Sequence, residues 1–186
     1  YNTVDTIIVG RAVGTSALAA VGSTGNLTNL IINFYVGLST GASVVIAQYY
    51  GAQNNKKIHQ AVHTSYSLAI VSGILMMLFG LFFSYQCLDA IGTPHDILND
   101  ATLYMQLYFL CMIPGAIYNI GAGILRAVGD SKRPLYYLIV CSIVNVVFDF
   151  IFVVIFHQGI AGAAIATVIA QSVCAILVTI QLMRTN

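Results

Sequence analysis

Long uncharged stretches dominate the chain, and short polar connections separate them. Residues without charge run over 12–55, 58–88, 101–125, 134–148 and 150–183. A helix that crosses the hydrocarbon of a bilayer needs about 20 mostly apolar residues, so these stretches hold five such helices. We predict helices at roughly 16–50, 60–86, 100–125, 134–156 and 160–183, with residues 1–10 forming the last turns of a truncated first helix.

The pattern within these stretches favours helices over a membrane β-barrel. Barrel strands alternate apolar and polar residues over segments of roughly 10 residues, whereas Leu68–Phe83 is apolar almost throughout. Glycine and proline gather in the connections, at Gly51, Gly92–Pro94 and Gly129–Pro134, where they favour turns. The sequence therefore predicts an all-α membrane protein, a polytopic helix bundle.

Composition removes the main alternatives. Apolar residues make up 59% of the 186 residues and charged residues only 7%, against about 25% charged residues in an average soluble domain. So few charges cannot cover a surface in water. The apolar content argues against a disordered chain, and a net charge of +1 argues against a nucleic-acid partner. The lipid bilayer is the expected partner.

The basic residues predict how the helices are oriented. Six of the seven bases fall in alternate connections or at the exit from the last helix: Lys56, Lys57, Arg126, Lys132, Arg133 and Arg184. Arg11 is the exception. Because lysine and arginine gather on the cytoplasmic side of membrane proteins, we predict that the six-base end of the bundle is cytoplasmic. The chain begins without methionine or a basic signal region, and we expect it to be part of a longer protein.

Two acids, Asp5 and Asp149, lie within predicted spans, where an ionisable group is costly and commonly functional. Asn145 precedes Asp149 by four residues, so both side chains share one helix face. A carboxylate beside an amide oxygen suits a proton or a small cation, while a helix-capping or interhelical hydrogen bond between Asn145 and Asp149 is the structural alternative. The remaining acids, Asp89, Asp96, Asp100 and Asp130, fall at connections or span ends and are expected to be solvated.

Two further sets of polar residues lie within spans. Asn26, Asn29 and Asn33 form one stripe of the helix at 16–50; they either line a wet cavity or join helices by hydrogen bonds. In the last helix, Thr167 and Gln171 continue a seam of small residues. Small residues let helices approach closely, so we expect tight packing along this seam, with oxygens from the two polar residues available to a site.

Other residues give weaker indications. Tyr104 near a span end is typical of the interfacial aromatic belt, and Pro114 with Gly115 predicts a kink. The cysteines are far apart and are expected to be inert buried thiols. The four histidines sit at or near span ends and are expected to be interfacial. There is no nucleophile motif, phosphate loop or HExxH sequence, so an enzyme is not expected.

Five segments in order resemble multidrug and toxic compound extrusion (MATE) transporters. They are VDTIIVGR followed by ALAAVG, then AQYYGAQNNKK, LRAVGDSKRPL, NVVFDFIFV and GIAGAAIATVIAQ. The resemblance implies a fold of twelve helices in two lobes that alternate access to a central cavity. Residues 1–186 would form the N-terminal lobe, without the start of its first helix and without the C-terminal lobe as its partner.

The resemblance also implies a function and a site. The function is antiport coupled to H⁺ or Na⁺, with export of a small organic, often cationic, substrate across the cytoplasmic membrane, in a bacterial cell and without a cofactor. The implied cation site comprises Asp5, Asn145, Asp149 and Thr167, joined by Tyr104. Asn26, Asn29, Asn33 and Gln171 are candidates for the substrate cavity.

Two rival functions follow different reasoning. A lipid-linked oligosaccharide flippase of the wider superfamily would share the fold, but a pyrophosphate substrate would favour bases within the spans, which contain none. An intramembrane aspartyl protease would need two carboxylates sharing a proton. The chain lacks the GxGD signature of such proteases, and the nearest match is the Ala127–Asp130 stretch in a basic connection.

Overall fold

The computed structural model describes the backbone of residues 2–185 and the side chains of residues 7–184. Within these bounds the chain is helical and contains no strand. The helices are α1 Asn2–Ala12, α2 Thr15–Ser23, α3 Gly25–Gly51, α4 Asn55–Ala90, α5 His95–Phe109, α6 Met112–Ala127, α7 Lys132–Asp149, the π-helix Phe150–Ile155 and α8 Gly159–Thr185.

The predicted spans are confirmed in number and place. Four helical stretches are long and apolar enough to cross a membrane, namely Thr15–Gly51, Asn55–Ala90, Lys132–Ile155 and Gly159–Arg184. The pair α5 and α6 makes a fifth span bent by 48°. Many large apolar side chains on the outside of the bundle are exposed, such as Phe82 at 70%, as expected of a surface that faces lipid.

The bend between α5 and α6 lies one turn earlier than the Pro114–Gly115 pair suggested. Helix α5 ends at Phe109 and α6 begins at Met112. Proline at position 114 has no N–H for the carbonyl of Leu110, and its ring crowds that carbonyl. The helical hydrogen bonds are therefore interrupted at the residues next to the proline ring. They continue from the bond in which the Gly115 N–H donates to Cys111 O at 2.8 Å.

Turn chemistry ends two of the long helices. Gly92 and Gly129 adopt φ of +78° and +92° just beyond α4 and α6, a conformation that residues with a Cβ rarely accept. The next N–H in each case bonds back five residues, from Thr93 to Leu88 at 3.1 Å and from Asp130 to Leu125 at 2.9 Å. This is the hydrogen bonding of a Schellman motif, and it stops both helices sharply.

Helices α6 and α8 lie at the centre of the bundle. Helix α6 packs against α3, α4 and α8, while α8 also packs against α5, α7 and the π-helix. The predicted small-residue seam of α8 is fully buried at Ala163, Ala166 and Ala170, so the expectation of close packing is confirmed. On α4, a Cβ at Gly80 would overlap the ring of Phe109, which brings α5 into direct contact with the α4 backbone.

The connections that carry the bases meet at one end of the bundle. A cavity of about 580 Å³ there is lined by residues at the ends of five helices: Tyr50 in the last turn of α3, Asn55 at the start of α4, Val128 just after α6, Arg133 in the first turn of α7 and Leu182 near the end of α8. The grouping of the basic connections predicted from charge is thus present in the fold. That this end is cytoplasmic stays a prediction from the charge rule.

Candidate functional site

Helix α7 buries one narrow stripe and exposes most of the rest to the outside of the bundle. Among its described residues, the buried ones are Pro134, Cys141, Asn145 and Asp149. The last three are spaced by four residues, so they lie one above the other on a single face. In a helix whose outer face carries residues such as Ile143, exposed at 60%, the buried stripe is where polar groups escape lipid.

Helix α8 supplies the partner of Asn145. The Asn145 Nδ2 donates to Thr167 Oγ1 at 3.4 Å, which is long for an N–H···O hydrogen bond. The Thr167 hydroxyl in turn donates to Ala163 O at 3.1 Å. The Thr167 oxygen thus accepts from Asn145 of α7 and donates along its own helix.

Asn145, Asp149 and Thr167 therefore form one group, which we name the polar cluster. Their side chains are 0%, 0% and 1% exposed. The sequence predicted that Asn145 and Asp149 share a face, and the fold confirms it by burying both. Asn145 donates to Thr167 of another helix, whereas the structural alternative weighed from the sequence paired it with Asp149. This hydrogen bond uses only the amide nitrogen of Asn145 and leaves its Oδ1 for another partner.

Two amide oxygens at this place accept no hydrogen bond from the described residues. Asn145 Oδ1 and Gln171 Oε1 are both shielded from solvent and without a hydrogen-bond donor. Gln171 lies one turn beyond Thr167 along α8, so the two face the same side. Buried acceptors without a donor are costly, and a proton donor or a hard cation that prefers oxygen ligands would satisfy them.

Asp5 and Tyr104 complete the predicted set. The side chain of Asp5 lies outside the described residues. Its helix α1 packs against α7 and α8, which carry the polar cluster, and against the π-helix. Tyr104 is 2% exposed on α5, and its ring stacks on Tyr108 with centroids 6.2 Å apart. Burial to this degree rules out the aromatic belt for Tyr104. Its predicted part in the cation site stays a prediction.

The π-helix directly after Asp149 was not predicted. The helix widens over Phe150–Ile155, and the Phe156 N–H donates to Ile151 O at 2.9 Å, a step of five residues. π-helical turns occur often at functional sites. Helix α8 presses against this turn, since a Cβ on Gly162 would lie 3.0 Å from the Cβ of Phe152. The sequence of Phe150–Ile155 is apolar throughout and contains no feature that predicts a π-helix.

The asparagine stripe of α3 lies on the outside of this bundle. Asn26, Asn29 and Asn33 are all exposed, as are Gly22 and Gly37 above and below them. The stripe therefore does not join helices within the described part of the chain. Wet surroundings or another protein surface remain as neighbours for carboxamides at this depth.

The other four acids lie at the surface or at a connection of the bundle. Asp89, Asp96 and Asp100 are exposed, and Asp130 pairs with Arg133 at 3.3 Å in a surface connection, which makes it unsuitable as the partner of Asp149 in a protease. All four cysteines are reduced thiols. No group of three or more histidine, cysteine or acidic side chains that could hold a metal occurs among the described residues.

One feature of the histidines was missed. His59 and His63, treated from the sequence as interfacial residues without a metal-binding arrangement, bring their Nε2 atoms to 3.0 Å. Their spacing of four residues on a continuous helix was the available signal, because residues i and i+4 share a helix face.

Comparison with known proteins gives a consistent family. A MatE family model matches residues 1–151. "Probable multidrug resistance protein YoeA" of Bacillus subtilis (strain 168) is 33% identical over 166 residues, covering 87% of this chain and 36% of the relative. "DNA damage-inducible protein F" of Escherichia coli (strain K12) is 27% identical over 169 residues, covering 90% of this chain and 37% of the relative.

Solved structures of the same family superpose on nearly the whole chain. One described as "Crystal structure of MATE in the bent conformation" gives a TM-score of 0.93 at 28% identity, covering 98% of this chain and 40% of that one. An "Inward-facing conformation of a multidrug resistance MATE family transporter of the MOP superfamily" gives 0.91 at 26% identity, covering 97% and 41%. The chain thus spans well under half the length of the relatives it matches.

Proposed function

Because the chain belongs to the MatE family, we propose that it forms the N-terminal lobe of a cation-coupled antiporter. In this proposal residues 1–186 pair with a C-terminal lobe to export a small organic, often cationic, substrate across the cytoplasmic membrane. The single observation that carries the proposal is the polar cluster: an aspartate, an asparagine and a threonine wholly buried between two helices that are otherwise apolar enough to span a membrane.

The coupling would act through the charge of Asp149. A buried carboxylate is costly in its ionised form, and binding of H⁺ or Na⁺ removes that cost by neutralising it. A cation that binds one conformation of the protein more tightly than the other shifts the balance between the two. The neutralised cluster then favours the conformation that releases the substrate, and an empty cluster favours the conformation that takes the substrate up.

Both candidate ions can use the same oxygen atoms. Asn145 Oδ1 and the Asp149 carboxylate lie one turn apart, Thr167 Oγ1 is within hydrogen-bond range of Asn145, and Gln171 Oε1 is one turn further along α8. With Asp5 from α1, this set resembles an oxygen site for a hard cation. A proton would instead reside on one carboxylate and be shared with a neighbouring amide oxygen. The proposal includes both ions.

The exposed asparagine stripe supports a place for the substrate. Asn26, Asn29 and Asn33 point away from the bundle core, and their carboxamides offer donors and acceptors without charge. In the proposed two-lobe transporter this face lines the central cavity. Uncharged polar groups there suit organic cations of varied shape better than a pyrophosphate, which would call for arginine or lysine.

The test replaces Asp149 with asparagine, which keeps the shape and removes the titratable charge. Asp100→Asn is the matched control, since Asp100 is exposed on α5. Each variant is made in the full-length protein with both lobes and reconstituted in liposomes, and substrate efflux is measured under an imposed H⁺ or Na⁺ gradient. We expect Asp149→Asn to abolish the dependence of transport on the cation gradient and Asp100→Asn to leave it intact. Full coupling in a correctly folded Asp149→Asn protein would refute the proposal.

A further inference from the structure

Two histidines form an isolated pair near the start of α4. His59 and His63 lie one turn apart on the same face of the helix, and both side chains are exposed. Their Nε2 atoms are 3.0 Å from each other, and their rings meet at 72° with centroids 4.4 Å apart. We name these two residues the histidine pair. They belong to a continuous helix, which holds their backbones at a fixed separation.

The two nitrogen atoms lie close enough together for one metal ion to contact both. A divalent metal bound to imidazole lies about 2.05 Å from each nitrogen. With the nitrogens 3.0 Å apart, the angle at such a metal is about 94° by trigonometry from that bond length. This angle is compatible with adjacent ligands of a square-planar or octahedral metal. A small rotation of the two exposed side chains also reaches the spacing of about 3.3 Å that a tetrahedral angle needs.

We propose that the histidine pair, His59 and His63, is a binding site for a divalent transition metal of the Cu²⁺ or Ni²⁺ class. Imidazole nitrogens suit these metals, and square-planar coordination by nitrogen and oxygen is characteristic of them. Two histidines spaced by four residues on one helix face can bind one metal ion together, as they do for Zn²⁺ in HExxH sites. For a given set of nitrogen ligands, Cu²⁺ binds more tightly than Zn²⁺.

The surroundings leave the other coordination positions open. No third histidine, cysteine or acidic side chain joins the pair among the described residues. His59 lines the cavity of about 580 Å³ at the basic end of the bundle, together with Asn55 and Asp130. Asp130 is held by Arg133 at 3.3 Å, so water fills the remaining positions on the metal. The site is separate from the polar cluster of α7 and α8 and does not depend on the transport proposal.

A hydrogen bond between two neutral imidazoles is the competing explanation for the 3.0 Å distance. In that arrangement one Nε2 carries a proton and the other accepts it. A metal ion needs a lone pair from both Nε2 atoms, so the Nε2 proton of the donating ring moves to its Nδ1 when the metal binds. A titration with Cu²⁺ and Ni²⁺ shows whether the pair binds metal or only forms the hydrogen bond.

The experiment uses the whole protein in detergent, purified with an affinity tag that contains no histidine. Cu²⁺ and Ni²⁺ are titrated by calorimetry into the wild type and into the His59→Ala and His63→Ala variants. The double variant His95→Ala/His157→Ala is the matched control, because it removes two histidines from other positions. Loss of an outer-shell partner alone weakens metal binding about 10- to 100-fold. We therefore expect His59→Ala and His63→Ala each to weaken the binding of one equivalent of Cu²⁺ by at least roughly tenfold. The control variant should bind that equivalent as tightly as the wild type.

Electron paramagnetic resonance of the Cu²⁺ complex gives an independent readout. Coupling of the copper electron to two nitrogens is expected in the wild type, and to one fewer in either pair variant. Three results would overturn the proposal. These are no saturable equivalent of Cu²⁺ or Ni²⁺, an equivalent that survives His59→Ala and His63→Ala unchanged, or tighter binding of Zn²⁺ than of both other metals.

Discussion

Replacement of Thr167 by valine removes one hydroxyl from the polar cluster and keeps the shape of the side chain. Thr167 Oγ1 accepts from Asn145 Nδ2 at 3.4 Å and donates to Ala163 O at 3.1 Å. In the Thr167→Val variant the buried Asn145 amide loses its acceptor and is free to rotate. The hydroxyl oxygen is also lost as a ligand for the proposed cation.

The magnitude follows from the length and place of this bond. Interhelical hydrogen bonds in membrane proteins contribute about 0.6 kcal/mol on average and about 1.7 at most, and a distance of 3.4 Å puts the bond with Thr167 in the lower part of that range. The buried donor left on Asn145 adds to the loss. We expect a decrease in the free energy of unfolding of about 0.5–1.5 kcal/mol.

A second threonine on α8 provides the matched control. Thr179 Oγ1 also donates to the carbonyl four residues earlier, Ala175 O, at 2.7 Å, and it pairs with a side chain of another helix, Tyr66 OH, at 3.3 Å. It lies three turns from Thr167 and outside the polar cluster. Thr179→Val should therefore cost a similar amount of stability without touching the proposed cation ligands.

The assay compares both variants in unfolding and in transport. Stability is measured by denaturant unfolding in detergent micelles, and coupling by the cation concentration that gives half-maximal efflux from liposomes. Both variants should lose comparable stability. If the hydroxyl contributes about 0.6–1.4 kcal/mol to cation binding, Thr167→Val raises the half-maximal concentration about 3- to 10-fold. An equal shift in Thr179→Val, or no shift in Thr167→Val, would contradict the assignment of Thr167 to the site.

Three further predictions concern the fold. Gly80→Ala should destabilise the protein by about 1–3 kcal/mol in an unfolding titration, because the new methyl group meets the ring of Phe109 in a packed core. Its control, Gly115→Ala, has open space around the new methyl group and should leave the stability unchanged. Pro114→Ala should reduce the 48° bend, since the helix regains an N–H and loses a steric clash, and distances between spin labels on the two halves report it. A cysteine placed at Ser131 should react with impermeant reagents from the cytoplasmic side, and one at Asp96, which is exposed at the start of α5, from the opposite side. Labelling of both from one side would refute the topology.

The fold could largely be predicted from local pattern. The uncharged stretches placed the spans, because about 20 apolar residues in succession have few stable alternatives to a membrane helix. The basic residues predicted which connections lie at the same end of the bundle, and the fold brings those connections together around one cavity. Spacing alone put Asn145 and Asp149 on one face, since a helix fixes the angle between residues four apart.

Other features depended on contacts that no local pattern contains. Asn145 meets Thr167, 22 residues later in the chain, and this pairing depends on how α7 and α8 are rotated about their axes. Tyr104 turned out to be buried rather than interfacial, and the stripe of Asn26, Asn29 and Asn33 exposed rather than packed. Each outcome is set by which face of a helix its neighbours cover.

The sequence by itself thus determined that the chain is a bundle of membrane helices with a few costly polar groups inside it. The tertiary structure decided which of those groups meet, where α5 and α6 bend apart, and that the helix after Asp149 widens into a π-turn against α8. The physical reason is one of range. Hydrophobic period, proline sterics and charge act within a helix or a connection, whereas rotation and register are set by close packing between helices distant in the chain.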